Sequence, residues 1–238
     1  MKKFLAAFAA LAALVACNRF QTGAYVDELV LPLSQEAEDS LFLSIDLEYV
    51  AKGMPKEAME QVNNAIMVQA FDMEAPEGTL EEAALRYREA LIDEYLDQAD
   101  ASWEDQLFGI FLKDYRHWKN YLLTYFNYRG GAHGIETLSQ LVFNRRTGEI
   151  LTEAAFFADD YVQGITPLLK EAVKRTMEEE APDLLDLVEM DAVAPNGNFS
   201  FNSNGVEWIF QPYEIGPYAL GPISATVPWN ELEPFIRR

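Results

Sequence analysis

Cysteine is almost absent from this 238-residue chain: Cys17 stands alone, which excludes an intrachain disulfide. Histidine is nearly as scarce, with only His117 and His133, and no His-Glu-x-x-His pattern occurs. A zinc site built on imidazole or thiolate therefore has too few ligands, and neither metal nor cofactor is expected. Basic residues are few: 18 Lys and Arg stand against 39 Asp and Glu, a formal net charge of −21. A surface of that sign repels nucleic acid and anionic lipid headgroups and attracts cationic partners. Apolar runs long enough to span a bilayer are missing after Cys17. Low-complexity tracts and internal repeats are missing too. The glycines at 130, 131 and 134 lack the strand-turn-helix setting of a dinucleotide fingerprint and the Lys-Ser/Thr pair of a phosphate cradle. No nucleophile elbow marks a serine triad.

What is present suits a packed core: 50% of the residues are hydrophobic and 13% aromatic. The N-terminus reads as an address. Lys2 and Lys3 precede an unbroken apolar run from Phe4 to Val15, too short to span a bilayer comfortably, and Leu14-Val15-Ala16-Cys17 follows at once. That ending resembles the bacterial lipobox. The resemblance implies removal of residues 1–16, a diacylglycerol thioether on Cys17, and acyl chains such as palmitate that hold the protein to a membrane outside the cytoplasm. Each buried CH₂ contributes about 0.8 kcal/mol to such an anchor. Residues 17–23 are then a tether. Asn198-Phe199-Ser200 has the form of a glycosylation sequon, which a bacterial lipoprotein does not normally use.

Periodicity gives the elements. A strand is expected over 25–33. Leu41, Leu43, Ile45 and Leu47 alternate with polar or aromatic residues, the period of a half-buried strand. Helical spacing follows over 55–71. Thr79-Leu80-Glu81-Glu82 has the form of a capping box, opening a helix to about Ala99 with an acidic outer face. Residues 103–113 read equally as strand or helix. Strands are expected over 118–128 and 135–144, with Gly148 in a turn requiring positive φ. A helical region over 154–180 is expected to divide at Gly164 and Pro167, and 182–195 to form an acidic connector. Residues 198–210 read as a hairpin closed by Asn204-Gly205 in a type I′ turn. A last strand over 223–227 and a short closing helix complete an α+β protein of antiparallel sheets with hairpins packed by helices. Two small, intimately packed subdomains are expected, 24–115 and 116–238.

Three stretches carry a family pattern: Gly130-Gly131-Ala132-His133-Gly134, then Phe143-Asn144-Arg145-Arg146-Thr147-Gly148, then 199–221 with Tyr213-Glu214-Ile215-Gly216-Pro217-Tyr218-Ala219 at its heart. Over roughly 118–236 the chain resembles the RsiV-like domain of unknown function. That domain is shared by lysozyme-sensing anti-sigma factors and some peptidoglycan deacetylases. Residues before 116, with Gln61-Val62-Asn63-Asn64-Ala65-Ile66, resemble the domain that usually precedes it. The resemblance implies an extracytoplasmic α+β module and, in one branch, capture of lysozyme. The chain departs from the signalling members in having no sigma-binding segment or transmembrane helix, and from the deacetylases in having no appended catalytic domain.

The residues singled out are Gly130, Gly131, His133, Gly134, Tyr213, Glu214, Gly216 and Tyr218, as a ligand surface or as shapers of the motif, with Cys17 for lipidation. Structurally, the glycines suit turns or close backbone packing, and His133 fixes its loop by hydrogen bonding to Glu214 or a tyrosine. Functionally, the same residues form a contact surface. The leading expectation is a lipid-anchored envelope binding protein without catalysis, whose partner is lysozyme or another basic protein. The alternatives are an enzyme or accessory factor acting on peptidoglycan or other glycans through Glu214 or His133, and a structural lipoprotein.

Overall fold

The computed structural model describes residues 20–34 and 38–237. The expected leader and the expected lipidation at Cys17 fall outside these residues. A five-stranded sheet comes first, ordered β1-β2-β3-β4-β5. Its strands are β1 (Gln21–Pro32), β2 (Ser40–Lys52), β3 (Trp103–Phe111), β4 (Trp118–Tyr128) and β5 (Ile135–Asn144). Strand β1 thus takes in residues 21–23 of the expected tether. Between β2 and β3 run helices α1 (Lys56–Phe71) and α2 (Leu80–Gln98). Because this connection crosses over, β2 and β3 are parallel and the other pairs antiparallel.

The alternation in β2 is realised fully. Leu41, Leu43, Ile45 and Leu47 are all sealed from solvent beneath the two helices. Asn63 of α1 ties helix to sheet: its amide both donates to the Val50 carbonyl at 3.0 Å and accepts from the Val50 N–H at 2.9 Å. The capping box forms as the sequence indicates, Thr79 Oγ1 accepting from the Glu82 N–H and Glu82 Oε2 from the Thr79 N–H. Thr79→Ala should lower stability by about 1 kcal/mol, read as a shift in the urea midpoint with unchanged slope.

The rest of the chain builds a second core. Helices α3 (Glu153–Phe156) and α4 (Tyr161–Glu180) pack with strands β6 (Phe199–Phe201), β7 (Gly205–Phe210) and β8 (Ile223–Pro228), and α5 (Trp229–Leu232) closes it. Two expectations change here. The helical region divides at Phe157, which bridges to Ile236, and α4 runs unbroken through Gly164 and Pro167. Gly164 serves close packing, since an added Cβ would strike the Phe235 ring. The hairpin of β6 and β7 has no I′ turn: neither Asn204 nor Gly205 has positive φ. Asn202 instead turns the chain, its Oδ1 accepting from the N–H groups of Asn204 and Gly205 at 2.8 and 3.0 Å. Gly205 is needed because an added Cβ would meet the Val227 carbonyl on the neighbouring strand.

The five-stranded sheet runs through the expected boundary between residues 115 and 116. The two cores meet at β4 and β5. There, side-chain amides pair with strand backbone. Gln211 and Asn198 both donate to the Leu138 carbonyl, and their oxygens accept from the N–H groups of Leu138 and Gln140. Buried Asn120 does the same to Phe201. These bonds satisfy an edge that would otherwise present unpaired groups. The Asn198 amide is therefore committed to the structure. No helix among the described residues is long and apolar enough to cross a membrane.

Candidate functional site

Two of the motif stretches, distant in sequence, meet at the surface. After β4 the chain turns through Gly130 and Gly131, at φ 83° and 96°, a region that glycine enters without steric cost. Tyr128 donates its hydroxyl to the Gly131 carbonyl at 3.0 Å. At the loop's far end Gly134 lies so close to the Phe126 ring and the Asn127 carbonyl that a Cβ has no room. Tyr218, 84 residues further on, donates its hydroxyl to the Gly134 carbonyl at 2.7 Å. His133 stacks on that tyrosine, ring centroids 3.7 Å apart and planes 16° from parallel. Tyr213 adjoins Tyr218 at 5.8 Å. The result is a ledge of three rings with His133 exposed and Tyr213 59% exposed.

His133 thus meets a tyrosine by stacking, and its Nδ1 lies 3.0 Å from the Gly134 carbonyl. Glu214 is not its partner. One Glu214 oxygen accepts from the Asn196 amide and the other from the Gln211 N–H, both at 2.7 Å. This carboxylate fastens the turn that presents Tyr213. Gly216 is buried at φ 154°, against Leu220 and the Leu187 carbonyl.

Tyr213 sits at φ 70°. Of the four described non-glycine residues at positive φ, Asp72 and Asp160 belong to a type that tolerates this region, whereas Tyr213 and Arg116 do not. Strain of this kind costs on the order of 1 kcal/mol and gathers at functional sites. Here it holds a large ring out in solvent.

The ledge stands on a buried ionic anchor that the ambiguous reading of 103–113 passed over. In β3, Trp103, Asp105 and Leu107 all point inward, and Asp105 is fully buried. Tyr87 of α2 donates to Asp105 Oδ1 at 2.8 Å, and the Arg129 guanidinium pairs with Oδ2 while lying 4.8 Å over the Trp103 ring. Burial, then the adjacent Asp105 carboxylate, pushes the Tyr87 hydroxyl well above the tyrosine range. Burial opposes the charge on Arg129, but Asp105 and the neighbouring tyrosines outweigh it, so the guanidinium is held more firmly protonated than usual. The sequence signal was a lone carboxylate in an otherwise apolar alternating row. A second buried carboxylate, Glu153, accepts from Trp208 Nε1 at 2.6 Å, the Gly197 N–H at 3.0 Å and the Tyr161 hydroxyl at 2.9 Å. Among the described residues no group of three or more His, Cys, Asp or Glu is placed to hold a metal ion.

This architecture, a helix-covered five-stranded sheet joined to a three-stranded sheet with one long helix, is an α+β class found among solved structures. Residues 154–230 match the model of the DUF3298 family, described as a protein of unknown function. A DUF3298 family member from Bacteroides fragilis is similar over 93% of this chain and 95% of its own, with TM-score 0.81 and 20% identity. A DUF3298 family protein from Pseudomonas aeruginosa covers 93% of this chain and 96% of its own, with TM-score 0.71 and 15% identity. These likenesses establish a common fold. No curated protein matches the chain. The matched domain contains Tyr213 and Tyr218 but not His133, so the ledge joins that domain to the preceding sheet.

Proposed function

We propose that this protein is a lipid-anchored, non-catalytic binding protein of the bacterial envelope that captures lysozyme or another cationic, envelope-active protein. The observation that carries the reading is the ledge of His133, Tyr218 and Tyr213, with Tyr213 held exposed in a strained conformation. Rigid tyrosines present large amphipathic area at low entropic cost and are frequent binding anchors. The Tyr213 ring belongs to neither hydrophobic core. Glu214 and Asn196 support the ledge by fixing the turn beneath it.

The charge of −21 supports the cationic partner. The outer face of α2 exposes Glu82, Glu89, Asp93, Glu94 and Asp97, and neither α2 nor α4 has a basic residue in its last turn, where the helix dipole favours one. Such a field steers a basic protein inward and is screened by salt. Lysozyme binding, followed by calorimetry with rising sodium chloride, should weaken roughly tenfold or more between 20 and 300 mM. Affinity indifferent to salt contradicts steering, and no binding even at low salt removes lysozyme as the partner. The lipid anchor rests on the lipobox resemblance at Cys17. Mass spectrometry of the membrane-extracted protein should find acyl chains on that residue.

A further inference from the structure

A second surface is singled out by the other strained residue. Arg116 and His117 form a two-residue turn between Tyr115 and Trp118, whose backbones exchange hydrogen bonds of 3.0 and 2.9 Å. Arg116 occupies this turn at φ 56°, where a hairpin ordinarily uses glycine. The turn forms one wall of a cleft of about 900 Å³ that continues along Phe156, Trp229 and Glu233. Its floor is aromatic. Tyr115 and Trp229 stack 4.4 Å apart and 9° from parallel, and the Trp229 indole N–H is already spent on the Asn202 carbonyl at 3.0 Å. Among the described residues, Arg116, Glu149, Asn230 and Glu233 around this floor make no side-chain hydrogen bond or ion pair. Arg116 lies over the Tyr115 ring, 5.2 Å from its centroid. Glu149, Asn230 and Glu233 line the cleft exposed.

The charges around the cleft cancel. Arg116 and Arg237 line it with Glu149 and Glu233, and Arg237 pairs with Asp159 at 3.0 Å. His117 lies against Trp118, 4.6 Å between ring centroids. This charge-balanced patch sits in a chain whose overall field repels anions. An apolar plane flanked by uncommitted, planar hydrogen-bonding side chains matches a ligand with an apolar face and many hydroxyls. We infer that the cleft bounded by Arg116, Trp229 and Glu233 binds a neutral saccharide, its ring laid on the aromatic floor and its hydroxyls shared among Arg116, Asn230 and the two glutamates. The site is separate from the tyrosine ledge and does not depend on the reading given to it.

The test titrates the full mature chain with an uncharged N-acetylglucosamine tetrasaccharide and with a uronic acid tetrasaccharide. Tryptophan fluorescence reports on the cleft, because Trp118 and Trp229 line it while Trp103 and Trp208 are buried in the two cores. The neutral sugar should give a saturable shift and the uronate none. Arg116→Gly suits the backbone of the turn, so it should leave the melting temperature unchanged or raised while weakening the neutral sugar about tenfold or more. Glu233→Ala, at an exposed position, should weaken binding in the same direction and guards against a folding defect in the first variant. Absence of saturable binding, equal binding of the uronate, or wild-type affinity in both variants overturns the inference.

Discussion

Asp105→Ala should destabilise the protein by about 3–5 kcal/mol, a large part of the stability of an ordinary domain. The residue is fully buried, and its two oxygens hold the Tyr87 hydroxyl and the Arg129 guanidinium. Alanine leaves the Tyr87 hydroxyl and the Arg129 guanidinium without their carboxylate partner. Arg129 is partly exposed and can turn to water, which places the cost nearer the lower figure. Asp105→Asn keeps an acceptor for Tyr87 and loses the ionic partner, so its cost should be smaller. Replacing Asp105 and Arg129 together by apolar residues should recover much of the loss, because no charge is then stranded. Urea denaturation of the four proteins measures this. Equal losses in the double variant and in Asp105→Ala would show that the ion pair is not the source. Arg129 immediately precedes Gly130, so loosening it should also loosen the loop that carries His133.

A comparable loss, about 3–5 kcal/mol, is expected for Glu153→Ala. Three donors converge on this carboxylate from β7, from the segment before β6 and from α4: Trp208 Nε1, the Gly197 N–H and the Tyr161 hydroxyl. The Trp208 ring has no exposed surface, so no water replaces the lost acceptor. Glu153→Gln retains one acceptor oxygen and should cost roughly half as much. Thermal melts followed by far-UV circular dichroism check the order alanine, glutamine, wild type. The network also has an alkaline limit. Burial, and then the bond to Glu153, pushes the Tyr161 hydroxyl from 10.0 up to about 12. A raised folded value favours the neutral hydroxyl in the native state. Its contribution is therefore complete below pH 10 and drains away between 10 and about 12. Tyr161→Phe should flatten that part of the stability profile.

Much of the fold was legible because its signals are local. The alternation from Leu41 to Leu47 and the Thr79–Glu82 capping box each depend on residues within a few positions, and both are realised. The failures share a cause. Gly164 and Gly205 looked like a breaker and a turn glycine, yet each is set by an approach from elsewhere, Phe235 in one case and Val227 in the other. The side-chain amides of Asn198 and Gln211 that finish the edge of β5 leave no periodic trace. Nor does any local pattern announce that β4 and β5 complete the first sheet across residue 115. The site followed the same rule. Its residues could be named from the motif, but the stacking of His133 on Tyr218, and the commitment of Glu214 to Asn196, are properties of the folded chain.

The proposal that the tyrosine ledge is a partner-binding surface is tested most directly by Tyr213→Gly, assayed at once for stability and for lysozyme affinity at low salt. Glycine accepts φ 70° without strain and removes the exposed ring. A melting temperature equal to or above wild type, with affinity reduced about tenfold or more, is the expected result. A variant that binds lysozyme as tightly as wild type while remaining folded would contradict it.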